Sequence, residues 1–421
     1  MSHGQVQTTL DHLFRRESGR IVAYLTRFLG PDHLDLAENV VQDALVKAVQ
    51  TWPIQGIPDN PAAWILQVSK NSAIDSIRSG KFVFHDSELV DSIQSSMTDS
   101  CADLEFENEI RDDQLKLMFI CCHPVLPREA RIALTLKTVC GFNVAEIAKA
   151  FLSKEETIAQ RIVRAKKTIA ENNFKFEVPM PNELELRLQS VLEVIYLLFN
   201  EGYSATEGSS LIRHDLCEEA IHRTQVLSEH PVCQRPQIFA LLALMHFQVS
   251  RFNSRLDADG ELLLLEEQDR KLWDQEHIGL GMKYLGLSAD GEELSDYHLQ
   301  AGIASCHAAA KSFAETDWER ILTYYDLLLM KDHSPIVALN RAVAIAMIHG
   351  PAAGLNEVDL IKALPPLKSY YLLPATMAEL NRRLGNMANA KTLYEQSLEL
   401  VGTEPERRLI LKRIKACETN H

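Results

Sequence analysis

Residues 141–169, GFNVAEIAKAFLSKEETIAQRIVRAKKTI, read as two short helices meeting across a tight turn. Asn143 is placed to cap a first helix over Val144 to Phe151, with Ile147, Ala148 and Phe151 turned to a core. Ser153 followed by Glu156 spells a capping box, which predicts a stop at Leu152 and an immediate restart. In the second helix Ile158, Ile162, Ala165 and Ile169 fall at i, i+4, i+7 and i+11, one buried stripe. Thr157, Gln160, Arg161, Arg164 and Lys167 are left on the far face, which suits a DNA major groove. Arginine bonds guanine with two hydrogen bonds and glutamine does the same for adenine, while threonine and lysine suit phosphates or base edges. The plainer alternative is an amphipathic helix whose basic side is only solvated.

Working outward, 421 residues with 46% hydrophobic side chains are enough for two or three domains with sizeable cores. Eight cysteines without regular spacing point to reduced, buried thiols and a cytoplasmic setting. The N-terminal stretch carries Asp11, Arg15, Arg16 and Glu17, and the apolar run Ile238 to Val249 is too short to span a bilayer, so neither export nor membrane insertion is expected. The net charge of -15 argues against a protein that grips duplex DNA unaided. Its basic residues are local: Lys154, Arg161, Arg164, Lys166 and Lys167 stand against Glu155 and Glu156. A weak DNA binder recruited by a larger machine fits that balance.

Residues 7–80 read as three helices, broken at Gly30-Pro31 and at the loop from Trp52-Pro53 to Pro61. Leu36, Val40, Val41, Ala44, Leu45 and Ala48 form the apolar side of the second, leaving Glu38, Gln42, Asp43 and Lys47 polar. Residues 86–109 are rich in Asp, Glu and Ser and hold no Lys or Arg, which reads as a flexible acidic linker able to mimic a phosphate chain. Helices resume near Asp112, and one over Arg128 to Cys140 ends at Gly141. From Leu184 onward helical patterns follow with short breaks, so the expected fold is all-α with a C-terminal helical-repeat array. Trp318 and Tyr325, then Ala378, Gly385, Ala390 and Tyr394, occupy offsets that fit a tetratricopeptide-like repeat.

With these motifs in view, LAENVVQDALVKAVQTWP (36–53), NPAAWILQVSKNSAIDSIRS (60–79) and the 141–169 motif resemble, in order, parts of the extracytoplasmic-function sigma factors of the sigma-70 family. VLEVIYLLFNEGYSAT (191–206), DADGELLLLEEQDRKLWD (257–274) and TDWERILTYYDLLL (316–329) are similar to a subgroup with a tetratricopeptide-like extension. The resemblance implies region 2 over 1–81, an acidic linker over 82–111, a region 4 helix-turn-helix over 112–176 and a regulatory extension over 177–421. It implies core RNA polymerase and promoter DNA as partners, with the chain's own extension taking part in control, for which a contact between the extension and the sigma domains is a candidate. Glu38, Gln42, Asp43 and Lys47 would then dock on polymerase. Asn60, Trp64, Asn71, Asp75 and Arg78 would face the -10 element, although Trp64 among apolar neighbours is better read as core. Thr157, Gln160, Arg161, Arg164 and Lys167 would read the -35 element. The loop from Trp52 to Ala63 holds no aromatic besides Trp52, so the group that captures a flipped base is open.

Other constellations carry less. Arg255, Asp257, Asp259, Gly260 and Glu266 follow a calcium-loop template, but arginine stands where its first carboxylate is needed. Asp257, Asp259 and Gly260 fit a structured turn before a helix, a candidate regulatory contact. Cys121 and Cys122 point about 100° apart on a helix and find no second ligand pair, so no metal is expected. No P-loop, GxSxG or HExxH occurs; the expectation is no cofactor and no catalysis. Two rivals stand: a helix-turn-helix regulator with a repeat-type sensor acting without polymerase, and a scaffold whose repeats dock proteins.

Overall fold

The computed structural model describes residues 17–79, 103–151, 153–203, 213–257, 260–291 and 293–419, and the regular elements named there are all helices. They fall into two compact units, one through Leu197 and one from Leu198. Among the described residues no helix is long and apolar enough to cross a membrane.

The first unit opens with α1 (17–29), which buries Ile21, Val22, Tyr24, Leu25 and Leu29. It ends at Gly30, whose φ of +84° is a conformation that glycine adopts without a Cβ clash. Helix α2 (Leu34–Gln55) packs on α3 (Pro61–Arg78), which starts at Pro61 as its sequence predicts, with Asn60 Oδ1 accepting the Ala63 N–H at 3.0 Å. One boundary differs from expectation. Helix α2 runs through Pro53 to Gln55, because a proline in the last turn forfeits a single backbone bond, and the Gly56 N–H closes the helix on the Trp52 carbonyl at 3.0 Å.

Helices α4 (Asp103–Cys121), α5 (Arg128–Thr138), α6 (Val144–Ala150) and α7 (Glu155–Asn172) follow. Helix α4 begins well before Asp112, so part of the acidic stretch is helical, as suits glutamate, a good helix former. The rest of that stretch, residues 86–102, lies outside the described residues. Helix α8 (Pro181–Tyr203) buries Leu184, Leu188 and Val191 in the first unit. Arg187 Nη2 donates to the Phe119 carbonyl at 2.7 Å, Ser190 Oγ to the Cys122 carbonyl at 2.5 Å, and Arg128 pairs with Glu193 at 2.7 Å. The break in packing thus falls at Leu197/Leu198, inside α8.

Asp113 sits fully buried in this unit, paired with Arg27 at 3.5 Å and Lys116 at 3.6 Å. Burial pushes its carboxyl up to about 6 against the pull of both cations. Because the folded value exceeds the ordinary 3.8, the stability it contributes is complete below 3.8 and is lost as pH rises through about 6. Asp113→Asn is expected to flatten the pH dependence of first-unit stability across that window, measured by denaturation at stepped pH. An unchanged slope would contradict the assignment.

The second unit is a run of helices in which each packs on a neighbour in sequence: α9 (His214–Glu229), α10 (Pro236–Val249), α11 (Gln275–Leu287), α12 (Asp296–Ala309), α13 (Trp318–Lys331), α14 (Pro335–His349), α15 (Pro351–Ile361), α16 (Leu372–Arg383), α17 (Met387–Leu400) and α18 (Glu404–Thr419). Small residues sit where these helices cross: a Cβ on Gly302 would meet the Tyr324 ring at 2.8 Å, and Ala378 and Ala390 are fully buried beside Tyr394. Trp318 and Tyr325 pack on the α12–α13 core. The all-α expectation therefore holds through both units.

Candidate nucleic-acid interface

Helices α6 and α7 form the turn that the opening stretch specifies. Asn143 Oδ1 accepts the Glu146 N–H at 2.8 Å and Glu146 Oε2 accepts the Asn143 N–H at 2.8 Å, a complete capping box. The box expected at Ser153 and Glu156 does not form. Lys154 is the N-cap of α7 and offers no side-chain bond; the turn is closed by backbone instead, with Ser153 N–H on the Ala148 carbonyl at 2.9 Å. Glu155 and Glu156 still favour the start of α7 through its dipole.

Ile158, Ile162, Ala165 and Ile169 are all buried, so the phase of α7 is the one its periodicity dictates. That phase leaves Gln160, Arg164 and Lys167 exposed at i, i+4 and i+7, with Thr157 and Arg161 half-buried at the edges. Val163 lies 65% exposed beside them and was not marked by charge or periodicity; an apolar side chain on a reading helix suits a thymine methyl. Lys167 meets Glu171 at 3.7 Å with both groups open to solvent, so its charge stays available to a phosphate.

On α2, Gln42, Asp43 and Lys47 are exposed on one side, joined by the apolar Val46 and Val49. Glu38, grouped with them by sequence, is placed elsewhere. It is buried: Oε2 accepts Lys166 Nζ of α7 at 2.7 Å and Oε1 accepts the Thr138 hydroxyl of α5. Asp35 Oδ1 takes the same ammonium at 2.6 Å. Burial pulls Lys166 down, but the two carboxylates outweigh it and hold the ammonium above the usual lysine range. Nearby, α1 crosses so close to the end of α5 that a Cβ on Gly19 would fall 1.9 Å from the Val139 carbonyl oxygen. Side chains of α2 therefore meet those of α5 and α7 within the first unit, and the backbone of α1 lies against the residue that follows α5.

On and before α3, Asn71, Asp75 and Arg78 are exposed along the outer face, and Gln67 Nε2 donates to Asn71 Oδ1 at 3.1 Å. Asn60 is exposed but spends its side-chain oxygen on the helix cap. Trp64 is half-buried, edge-on to the buried Trp52 at 5.4 Å between centroids, a packing role with one margin open. On the inner face, Lys70 is buried with Nζ 4.8 Å from the Tyr24 ring centroid.

On either side of the DADGE segment, Leu256 and Leu262 form an antiparallel bridge. Asp257 Oδ1 accepts the Glu261 N–H at 2.9 Å, and Gly260 takes φ of +76°. Asp259 lies outside the described residues. Downstream, Asp269 and Asp274 each cap the helical turn that follows. Among the described residues no group of His, Cys, Asp and Glu is arranged to hold a metal ion.

Comparison with known proteins gives this geometry a family. Residues 13–82 match Sigma-70 region 2, residues 116–169 match Sigma-70, region 4, and residues 187–289 match a family of unknown function (DUF6596). An uncharacterized protein of Rhizobium meliloti (strain 1021) is 37% identical over 376 residues, covering 89% of this chain and 88% of its own. No solved structure matches. With helices α1–α3 inside the region 2 match and α5, α6 and all but the last three residues of α7 inside the region 4 match, the chain belongs to the sigma-70 family of RNA polymerase sigma factors.

Proposed function

We propose that this chain acts as an extracytoplasmic-function sigma factor that docks on core RNA polymerase, opens promoters through α3 and reads the upstream element through α7, with its C-terminal helices modulating that activity. The observation that carries the reading is the open face of α7, where Gln160, Arg164 and Lys167 stand clear of a fully buried apolar stripe. Gln42, Asp43 and Lys47 are the candidates for polymerase docking, and Asn71, Asp75 and Arg78 for the -10 strand. Glu38 joins the docking set only when its contact with Lys166 separates. The second unit, read as a tetratricopeptide-like array, supplies the regulatory part, with Asp257 and Gly260 as contact candidates.

Transcription in vitro with bacterial core polymerase and a genomic promoter library tests the reading. Promoter-specific transcripts that depend on the chain support it. Tight, site-specific duplex binding without polymerase would favour a stand-alone regulator instead, an outcome that the net charge of -15 disfavours. Arg164→Ala is expected to weaken promoters that depend on the upstream element by about 1–3 kcal/mol, if the guanidinium contacts a base edge. Equal transcript levels from the variant at such promoters would remove Arg164 from the reading face.

A further inference from the structure

The second unit holds a cavity of about 280 Å3 between α14, α16 and α18, roofed by Leu262 and Leu264 of the segment that follows Gly260. Its walls are carbon: Met347 on one side, Ala375 and Leu380 on another, and Ile410 on a third. That space has room for on the order of ten non-hydrogen atoms, judged from the share of volume a small molecule takes in a liquid.

The polar groups at its edge are already committed to one another. Glu379 accepts from Arg382 at 2.9 and 2.7 Å, from Arg383 at 2.9 Å and from the Tyr394 hydroxyl at 2.9 Å. Four donors fill the acceptor positions of one carboxylate. Glu406 takes the hydroxyls of Tyr371 and Thr403. The remaining cations are spent on the roof: Arg383 bonds Glu266 at 2.7 Å, Arg413 bonds Glu267 at 2.7 Å and Lys412 bonds Glu261 at 3.1 Å. A charged ligand would find no unspent counter-charge here, whereas a hydrocarbon would find carbon on every side.

We propose that this cavity is a binding site for a compact, uncharged, largely hydrocarbon molecule, admitted when the 260–267 segment lifts from α16 and α18. The three ion pairs that fasten the segment are partly open to solvent, so each holds it weakly and gives way without disturbing the helices beneath. The inference concerns the second unit alone and stands apart from the promoter-reading role of the first.

Calorimetric titration of the full chain with 1-octanol, octanoate and octylammonium tests it. Octanol is expected to bind saturably, and both charged analogues at least about tenfold more weakly, because each buries a charge without a partner. Ala375→Phe, or Met347→Trp from another wall, is expected to weaken octanol at least about tenfold by filling the space. Circular dichroism identifies a variant that fails to fold, and the other then decides. The pair Glu266→Gln and Glu267→Gln, made together on the exposed roof, is expected to tighten octanol by about two- to fivefold, since two weak tethers no longer have to be broken. Absence of saturable octanol binding, or equal binding in both filled variants, would overturn the site. Equal affinity for a charged analogue would overturn the ligand class, and unchanged affinity in the Gln pair would overturn the lifting roof.

Discussion

Replacing Gly19 with alanine is expected to loosen the first unit by about 1–3 kcal/mol, the usual cost of forcing an extra carbon into a close contact. The sign is the informative part. Alanine in the middle of an exposed helix stabilises by up to about 1 kcal/mol relative to glycine, so a Gly19 open to solvent would give the opposite result. Here the new Cβ would meet the Val139 carbonyl oxygen at 1.9 Å, and that atom is backbone that no rotamer change can move aside. Helix α1 must then shift away from the end of α5. Hydrogen exchange of peptides covering α5 and its C-terminal turn reads this locally, which matters because two units need not unfold together. Slower or unchanged exchange in the variant would show that the close crossing is absent.

Lys166→Met should have an effect of similar or larger size, about 3 kcal/mol, from removing one member of a buried ion pair. Methionine keeps much of the hydrocarbon stem, so the loss comes from Glu38, left as a buried carboxylate with only the Thr138 hydroxyl as donor. Asp35, more open to water, loses little. The linkage has a definite sign: a lysine held above its ordinary value contributes stability that is whole at neutral pH and fades only as pH rises through the folded value. Pairing Lys166→Met with Glu38→Gln should recover much of the loss, since a neutral amide is cheaper to bury than an unmatched charge. A double-mutant cycle showing no coupling between residues 38 and 166 would mean the contact carries no energy.

Both predictions rest on contacts that periodicity does not reveal. The stripe from Ile158 to Ile169 was legible because a repeat near 3.6 fixes which side of a helix is inside, and Asn143 was legible because a cap is local chemistry. Glu38 was not. A polar residue on the outer side of a helix reads as solvated whether it meets water or another helix, and its partner Lys166 is 128 residues away in sequence. Ser153 failed for a different reason, since a serine next to a turn has no claim on the helix when backbone bonds already close it. Gly19 carries no pattern at all. The cavity was equally hidden, because its lining is gathered from positions between Leu262 and Arg413 and no short window contains it.

The seven described cysteines are buried thiols outside any disulfide, and burial pushes several of them well above their ordinary range, Cys122 to about 11 and Cys233 to about 12. Thiolate is the reacting species, so these side chains are nearly inert to alkylating dyes at neutral pH. Once Cys101 is replaced by serine, a cysteine placed at exposed Ile54 and another at exposed Val163 would accept a donor and an acceptor fluorophore against a dark background. The chain is thus already suited to a single-molecule distance ruler between α2 and α7, able to time how often the Glu38–Lys166 contact comes apart.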